Sequence, residues 1–274
     1  MRQLFRNIVV PAALVAISLS SLTCAPAFSS EKQEMQTTII RFKAAIEVNP
    51  NNPDTRIKLG EAYMMANKLD LAIKELKIAC QQAPSDGLPA YDLARAYLRL
   101  RNYDLAIESY KDACRRDPNN ADYHIKLGQV LGRKQRDDEA IEQYRQAIKL
   151  APANAIAHRE LGAALGLKGD LQGQISEEQK ALELTPQDAD AHFYLGQAYL
   201  AQEKLAEAAA HLEKAVQFDP KFATAHHMLA IVKAAQDNID SAINLEEKAI
   251  ALDPQNPDFK ALLKKLQSKR RGGK

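Results

Sequence analysis

Four histidines recur at one fixed spacing, and imidazole can take part in more kinds of chemistry than any other side chain in this sequence. They are His124, His158, His192 and His226, each 34 residues after the one before. Imidazole nitrogens bind zinc at about 2 Å, so the ligands of one ion must lie close together. Residues at equivalent places in stacked helices are roughly 8–10 Å apart. The spacing therefore predicts half-buried packing histidines, with no metal and no cofactor.

Two cysteines, Cys80 and Cys114, show the same 34-residue spacing. A disulfide needs Cα atoms within about 7 Å, which is closer than neighbouring stacked helices allow. The equivalent places further along the chain hold the apolar residues Ile148, Leu182, Val216 and Ile250. The pattern therefore predicts two free thiols in an apolar environment.

The chain contains none of the common catalytic motifs. It has no G-x-S-x-G nucleophile motif, no glycine-rich phosphate loop and no H-E-x-x-H zinc motif. Most of its glycines recur at one helical position or fall in turns, where close packing explains them. The sequence therefore predicts a protein that is not an enzyme.

A 34-residue repeat without insertions positions all of these side chains. Prolines mark the repeat at Pro50, Pro84, Pro118, Pro152, Pro186, Pro220 and Pro254. Within each repeat, apolar residues three and four apart form two amphipathic helical segments, as in 59–63 and 72–79. A polar turn joins the two segments, and the proline ends the second. A fixed period of this length is typical of stacked supersecondary units.

Small residues recur where the two helices of a repeat must approach closely. With position 1 set three residues after each proline, position 8 holds Gly60, Ala94, Gly128, Gly162, Gly196 and Ala230. Position 27 is always Ala, and position 20 is Ala in every unit except the fourth. This pattern resembles the tetratricopeptide repeat over residues 53–256 without a gap. The resemblance implies an all-α fold, a right-handed α-solenoid of stacked helix-turn-helix units.

The repeat divides the chain into an array with a helical segment at each end. Residues 28–52 form the N-terminal segment, with a helix predicted over 35–48. The six units are 53–86, 87–120, 121–154, 155–188, 189–222 and 223–256. Residues 257–274 form a C-terminal helix that shields the last unit from solvent, followed by a basic tail.

Two units depart from the pattern at their packing positions. In the fourth unit Gln174 and Glu178 stand at positions 20 and 24, next to Gly173, which predicts looser packing. In the sixth unit Lys233 and Glu246 stand at positions 11 and 24, which indicates a terminal unit that is less fully covered.

Residues 1–27 have the pattern of a secretory signal peptide. Arg2 and Arg6 precede an apolar run over 8–22, and small residues favour cleavage after Ala27. The run is shorter than the ~20 residues that span a bilayer. The pattern predicts a periplasmic or secreted protein. An uncleaved membrane anchor, or a lipid attached to Cys24, is the alternative.

Charge is unevenly distributed along the chain. Residues 260–274 carry seven Lys and Arg and no acid, whereas the region from 28 to 259 has more acids than bases. That net negative charge disfavours a nucleic-acid partner. The basic end is expected to be a flexible, solvated tail, with weak contact to an acidic membrane surface as the alternative.

The family resemblance also implies a binding surface. In tetratricopeptide repeats the first helices line a concave groove through positions 2, 5, 9, 12 and 13. Carried over to this chain, the resemblance implies a peptide-binding groove that contains Tyr91, Arg95, Leu98, Arg99, Ile125, Gln129, Arg133, Ile156, Arg159, Phe193, Gln197 and Leu200. Arginine donors beside apolar residues suit a peptide with carboxylates and apolar anchors.

The function predicted from these features is a non-catalytic scaffold that binds segments of a protein partner, in cell-envelope assembly or export. Two alternatives remain open at this point. One is a structural protein that self-associates into a homo-oligomer. The other is an accessory subunit that binds a polysaccharide or small ligand.

Overall fold

The computed structural model describes residues 28–272, which form fourteen helices and no strand. The predicted signal peptide, with its cleavage site after Ala27 and Cys24, lies outside the described residues. The helices are α1 (Phe28–Val48), α2 (Pro53–Met65), α3 (Leu69–Gln82), α4 (Leu88–Arg99), α5 (Tyr103–Arg116), α6 (Ala121–Arg133), α7 (Asp137–Leu150), α8 (Ala155–Leu167), α9 (Leu171–Leu184), α10 (Ala189–Ala201), α11 (Leu205–Phe218), α12 (Ala223–Ala235), α13 (Ile239–Leu252) and α14 (Pro257–Gly272). The prediction of an all-α solenoid is confirmed. No helix among these fourteen is both long and apolar enough to cross a bilayer.

Each unit is a pair of helices closed by the same backbone turn. The residue at position 15 has positive φ in every unit, from 56° at Asn67 to 82° at Gly169. This left-handed conformation ends the first helix and reverses the chain, as is usual at helix C-termini. Between units, Asn52, Asn154 and Asp188 cap the next first helix, each accepting a backbone N–H at 3.1 Å. The turn therefore recurs in all six units, whereas the side-chain cap is missing at Gly87 and Phe222.

Position 8 is small because a second-helix side chain fills the space beside it. A Cβ atom added to Gly60 would lie 2.7 Å from Leu76 Cγ, and one added to Gly196 would lie 2.5 Å from Leu212 Cγ. Both distances are below van der Waals contact, so a methyl group at either glycine would displace the leucine or move the helices apart. Ala94 and Ala230 are the largest residues found at this position. The small residues thus set the spacing within each hairpin.

The fourth unit is packed as closely as the others, so the prediction of loose packing is wrong. Glu178 is fully buried, and a Cβ atom on Gly162 would lie 2.7 Å from its Oε1. Gln174 is also buried, and its Nε2 donates to the Tyr194 carbonyl at 3.0 Å. Glu178 fills the volume that Leu or Tyr fills at position 24 in other units. Gln174 replaces an alanine and finds its space beside Gly166, where an added Cβ atom would clash with the Gln174 amide.

The sixth unit is also fully covered, contrary to the sequence prediction. Glu246 is fully buried, and α14 covers this end of the array with the buried side chains Phe259 and Leu266. The basic segment is part of this helix, so the expectation of a flexible tail is wrong as far as Gly272. Lys269 pairs with Asp237 at 2.8 Å, which ties the helix to the turn of the sixth unit.

The histidine column closes the connections between units. His158, His192 and His226 are buried, more deeply than predicted, whereas His124 is half-buried. Each buried ring donates from Nε2 to the carbonyl of the proline six residues earlier, at 3.0–3.3 Å. Arg56, at the same repeat position, bonds Pro50 in the same way. These side chains are therefore structural, and residues 28–272 contain no cluster of three or more His, Cys, Asp or Glu arranged to hold a metal ion.

The two cysteines are free and half-buried. Burial raises the pKa of each thiol to about 11, which keeps both protonated and unreactive near neutral pH.

Candidate binding groove

The first helices of the six units lie side by side in one layer, and the surface that this layer presents is called the groove below. Along it, α2 contacts α4, α6 contacts α8, and α10 contacts both α8 and α12. The second helices lie mostly behind this layer, so ligand access is chiefly through side chains of the first helices.

The twelve side chains predicted to line the groove differ in exposure. Exposed are Arg95, Arg99, Arg133 and Ile156, and half-buried are Tyr91, Leu98, Gln129, Arg159, Gln197 and Leu200. Ile125 and Phe193 are only 2% and 8% exposed, so the prediction that they contact a ligand is corrected. The Phe193 ring packs on Phe222 of the next unit, with centroids 4.9 Å apart. Position 5 therefore serves core packing in these two units.

An N-terminal cavity of about 420 Å³ lies between α2 and α4. It is lined by Glu61, Met64, Met65, Arg95, Leu98 and Arg99. The Arg95 guanidinium pairs with the buried carboxylate of Asp92 at 2.6 Å. Burial raises the pKa of Asp92, although Arg95 opposes the shift. Arg95 is thus partly neutralised by its own helix.

Arg99 is bound to neutral groups only. It donates to the Met64 carbonyl and, at 3.2 Å, to Oδ1 of Asn67. These contacts hold the guanidinium at the end of α2 and leave its charge uncompensated. The side chain is consequently oriented but still able to attract an anion.

A central cavity of about 330 Å³ lies further along the groove, between α6, α8 and α10. Its lining includes the carboxylate of Glu160, which accepts from Gln129 Nε2 at 3.0 Å and from the Tyr144 hydroxyl at 3.4 Å. Arg159 pairs with Asp188 at 2.7 Å and lies 3.5 Å from the Glu160 carboxylate. This part of the groove therefore carries little net positive charge.

Position 13 gives the groove a pattern of four side chains, of which the sequence predicted only the two arginines. From unit one to unit four this position holds Met65, Arg99, Arg133 and Leu167. Met65 is 67% and Leu167 78% exposed, which is unusual for large apolar side chains. Within the described chain, neither arginine has a carboxylate within 4.0 Å. Carboxylates do line the same cavities, Glu61 with Arg99 and Asp137 and Glu160 with Arg133, but they form no ion pair with these arginines. Two arginines without an ion-pair partner thus lie between two exposed apolar side chains.

Several groove residues were missed by sequence reasoning. Met65 and Leu167 share the repeat position of the two predicted arginines, so the column itself was a usable signal. Glu160, Tyr144 and Tyr194 had no such signal, because they lie outside the five groove positions and reach the central cavity only through the packing of neighbouring units.

A solenoid of antiparallel helix pairs with an open concave groove defines a class of helical-repeat interaction scaffolds. Residues 27–228 match the family model described as Cilia and flagella-associated protein 70 C-terminal domain, and residues 200–266 match the Tetratricopeptide repeat model. The chain belongs to the tetratricopeptide repeat family, whose members are generally non-catalytic scaffolds for protein–protein interaction.

Solved structures support the same assignment. YrrB, described as a TPR protein with an unusual peptide-binding site, is 25% identical, with a TM-score of 0.58 over 68% of this chain and 96% of that one. PilW, described as a widely conserved type IV pilus biogenesis factor, is 21% identical, with a TM-score of 0.67 over 77% and 98%. The chain in the APC/C hetero-tetramer Cut9-Hcn1 is 22% identical, with a TM-score of 0.69; the match covers 87% of this chain and 46% of that one. A comparison with curated proteins finds no significant match.

Proposed function

We propose that this protein holds an extended segment of a partner protein in the groove, along the row formed by Met65, Arg99, Arg133 and Leu167. The observation that carries the proposal is that row, where two guanidinium groups without an ion-pair partner lie between two exposed apolar side chains. Such a surface fits a ligand with carboxylates in the middle and apolar anchors at both ends.

The repeat spacing sets the spacing of ligand residues. Neighbouring units place equivalent residues roughly 10 Å apart, and an extended peptide advances about 3.3 Å per residue. About every third residue of the ligand therefore contacts one member of the row. The best ligand is an extended segment in which an apolar residue, two acidic residues and a second apolar residue follow at intervals of about three.

The two kinds of contact have different roles. Exposed ion pairs contribute at most about 1 kcal/mol each and weaken with salt. Burying the apolar anchors against Met65 and Leu167 contributes more, at about 25 cal/mol per Å² of apolar surface. The arginines thus select and orient an acidic segment, and the apolar anchors retain it. The description of the similar YrrB as a peptide-binding protein agrees with this use of the fold.

We infer the place of action from residues 1–27. Their signal-peptide pattern supports export, and with it a scaffold role in cell-envelope assembly or secretion. The intact mass of the protein purified from its native cell tests this inference. A mature chain that begins at Phe28 supports export, whereas an intact Met1 or a lipid on Cys24 supports a membrane-anchored protein.

Charge reversal in the groove tests the binding proposal. Fluorescent peptides of about ten residues with the predicted acidic and apolar spacing are titrated against the wild type and against Arg99→Glu plus Arg133→Glu. The double variant should bind at least about tenfold more weakly, and the wild type should lose affinity with rising salt.

The matched control reverses two charges behind the groove. Lys77 and Arg145 are exposed at position 25 of second helices, so Lys77→Glu plus Arg145→Glu changes the net charge equally and should bind like the wild type. Equal loss in both double variants, or unchanged binding in the groove variant, would rule out the groove row as the binding site.

A further inference from the structure

The first described helix, α1, has the register of a second helix, and no first helix precedes it within residues 28–272. Thr38 and Ala45 hold repeat positions 20 and 27. In the first unit these positions are Ala72 and Ala79, and both are fully buried beneath α2. In α1, by contrast, Thr38 is only half-buried and Ala45 is exposed. The side of α1 that would face a first helix is therefore uncovered.

This side forms a continuous line along the helix, called the α1 stripe. Its members follow at spacings of three and four, and they are Glu34, Thr37, Thr38, Arg41, Ala45 and Val48. Val48 is 88% exposed. Both threonine hydroxyls donate to carbonyls of their own helix at 2.9 Å, so they need no outside partner. The middle of the stripe consequently presents short, satisfied side chains that permit close helix approach.

The charges of the α1 stripe are self-complementary. Glu34 and Arg41 lie on either side of the two threonines, and neither has an ion-pair partner among residues 33–271. Thr38 is also the middle residue of Phe28–Val48. An antiparallel pair of such helices centred on the threonines places each Glu34 opposite Arg41 of the other helix, twice by symmetry. A parallel pair would instead place like charges opposite each other.

We propose that α1 pairs antiparallel with α1 of a second copy of this chain, across a two-fold axis through the threonines. Each α1 then occupies the place that the first helix occupies in a complete unit. The 21 residues of α1 overlap almost completely in this register, over about 30 Å. The two-fold arrangement uses the same surface twice and therefore closes at a dimer.

The other end of the array does not offer an equivalent surface. There the last described helix, α14, has the register of a first helix, but its position 8 is Lys264, where close pairing needs Gly or Ala. A helix cannot approach α14 as closely as it can approach the α1 stripe. Of the two terminal described helices, α1 is therefore the one suited to close pairing.

Charge-swap variants of the full chain, as its native cell processes it, test the pairing by sedimentation and light scattering. Glu34→Arg and Arg41→Glu should each raise the dimer dissociation constant at least about tenfold, through two repulsive contacts per dimer. Mixing the two single variants should give a heterodimer, and the double variant should recover the homodimer. The exposed Lys43 lies on the other side of α1, so Lys43→Glu should dimerise like the wild type.

Cysteine crosslinking reports the pairing independently of charge. Thr38→Cys should form an intermolecular disulfide under mild oxidation, whereas Lys43→Cys should not. A wild type that stays monomeric at every concentration overturns the proposal, whether residues 1–27 or another protein covers the stripe. The proposal is also overturned if neither charge change alters the dimer dissociation constant, or if Lys43→Cys crosslinks as well as Thr38→Cys.

Discussion

The fourth and sixth units carry the same unusual residue at the same repeat position, but only in the sixth unit does a neighbouring side chain bind it. Glu178 and Glu246 both stand at position 24, where other units have Leu or Tyr, and both are fully buried. Glu246 accepts from His227 Nδ1 through both of its oxygens, at 2.8 and 3.0 Å. Neither oxygen of Glu178 has a partner within the described part of the chain.

The difference arises one helix away, at position 5. The sixth unit has His227 there, held against the Phe259 ring of α14 at a centroid distance of 4.7 Å. The fourth unit has Arg159, which could neutralise Glu178 but pairs with Asp188 of the following loop. Burial therefore raises the pKa of Glu178 to about 10, so this carboxyl is protonated at neutral pH.

At the histidine column it is the fourth unit that supplies a partner for the buried side chain and the sixth unit that does not. In the fourth unit His158 Nδ1 lies 2.6 Å from Glu177 Oε2. In the sixth unit the equivalent of Glu177 is Leu245, and Nδ1 of His226 has no partner in residues 28–272. Each unit thus satisfies one of its two buried polar positions. The comparison shows that an identical repeat position does not imply an identical interaction.

The largest effect is expected from making the sixth unit resemble the fourth. His227→Ala leaves Glu246 buried without a partner and removes the ring that packs on Phe259. Breaking a buried pair in this way costs about 3 kcal/mol. Urea unfolding, with amide exchange in α13 as a local readout, measures the change. A loss below about 1 kcal/mol would show that solvent reaches Glu246.

Removing the unpartnered carboxyl of Glu178 should instead increase the stability of the protein. Leu at position 24 packs against Gly60 and Gly196 in other units, so Glu178→Leu should fill the same space beside Gly162. We expect a gain of about 1–3 kcal/mol near pH 7, the usual cost of an unsatisfied buried group. Glu246→Leu is the matched control and should give no gain, because it breaks a satisfied pair. Equal gains from both changes would contradict the comparison.

The gain from Glu178→Leu should depend on pH. Because the pKa of Glu178 is raised on folding, its neutral form contributes fully below the unfolded value of 4.5 and loses this contribution as pH rises toward about 10. The stability difference between the variant and the wild type should therefore grow steadily above pH 4.5. A pH-independent difference would mean that Glu178 is solvated.

The smallest effect is expected from making the fourth unit resemble the sixth at the histidine column. Burial tends to raise the pKa of Glu177, but hydrogen bonds from Lys180 and His158 hold it below its ordinary value. Glu177→Leu removes the bond to His158 and should cost about 1 kcal/mol. The Nε2 bond to Pro152 remains, which limits the loss. Thermal unfolding at pH 7 measures it, and a cost above about 3 kcal/mol would indicate that the pair does more than hold one ring.

The repeat in the sequence was sufficient to predict the fold. A fixed period with small residues at positions 8 and 27 indicates where the two helices of each hairpin approach closely, and Gly60 and Gly196 do lie against leucines of the second helix. The groove arginines at position 13 were predicted for the same reason, since a periodic helix presents that position to the concave side. Ile125 and Phe193 were assigned wrongly because position 5 lies at the edge of the groove, where the neighbouring unit decides whether a side chain is covered.

The sequence by itself therefore determined the helices, their turns, the spacing of the units and the side of the array on which each repeat position lies. Tertiary structure alone decided which buried polar groups find partners, as the contrast between Glu178 and Glu246 shows, and which groove arginines have no ion-pair partner. The physical reason is that helix formation and hairpin packing depend on residue types that recur in every repeat. The partners of buried polar groups lie at positions that vary from unit to unit, so His227 binds Glu246 whereas Arg159, at the equivalent place, does not bind Glu178.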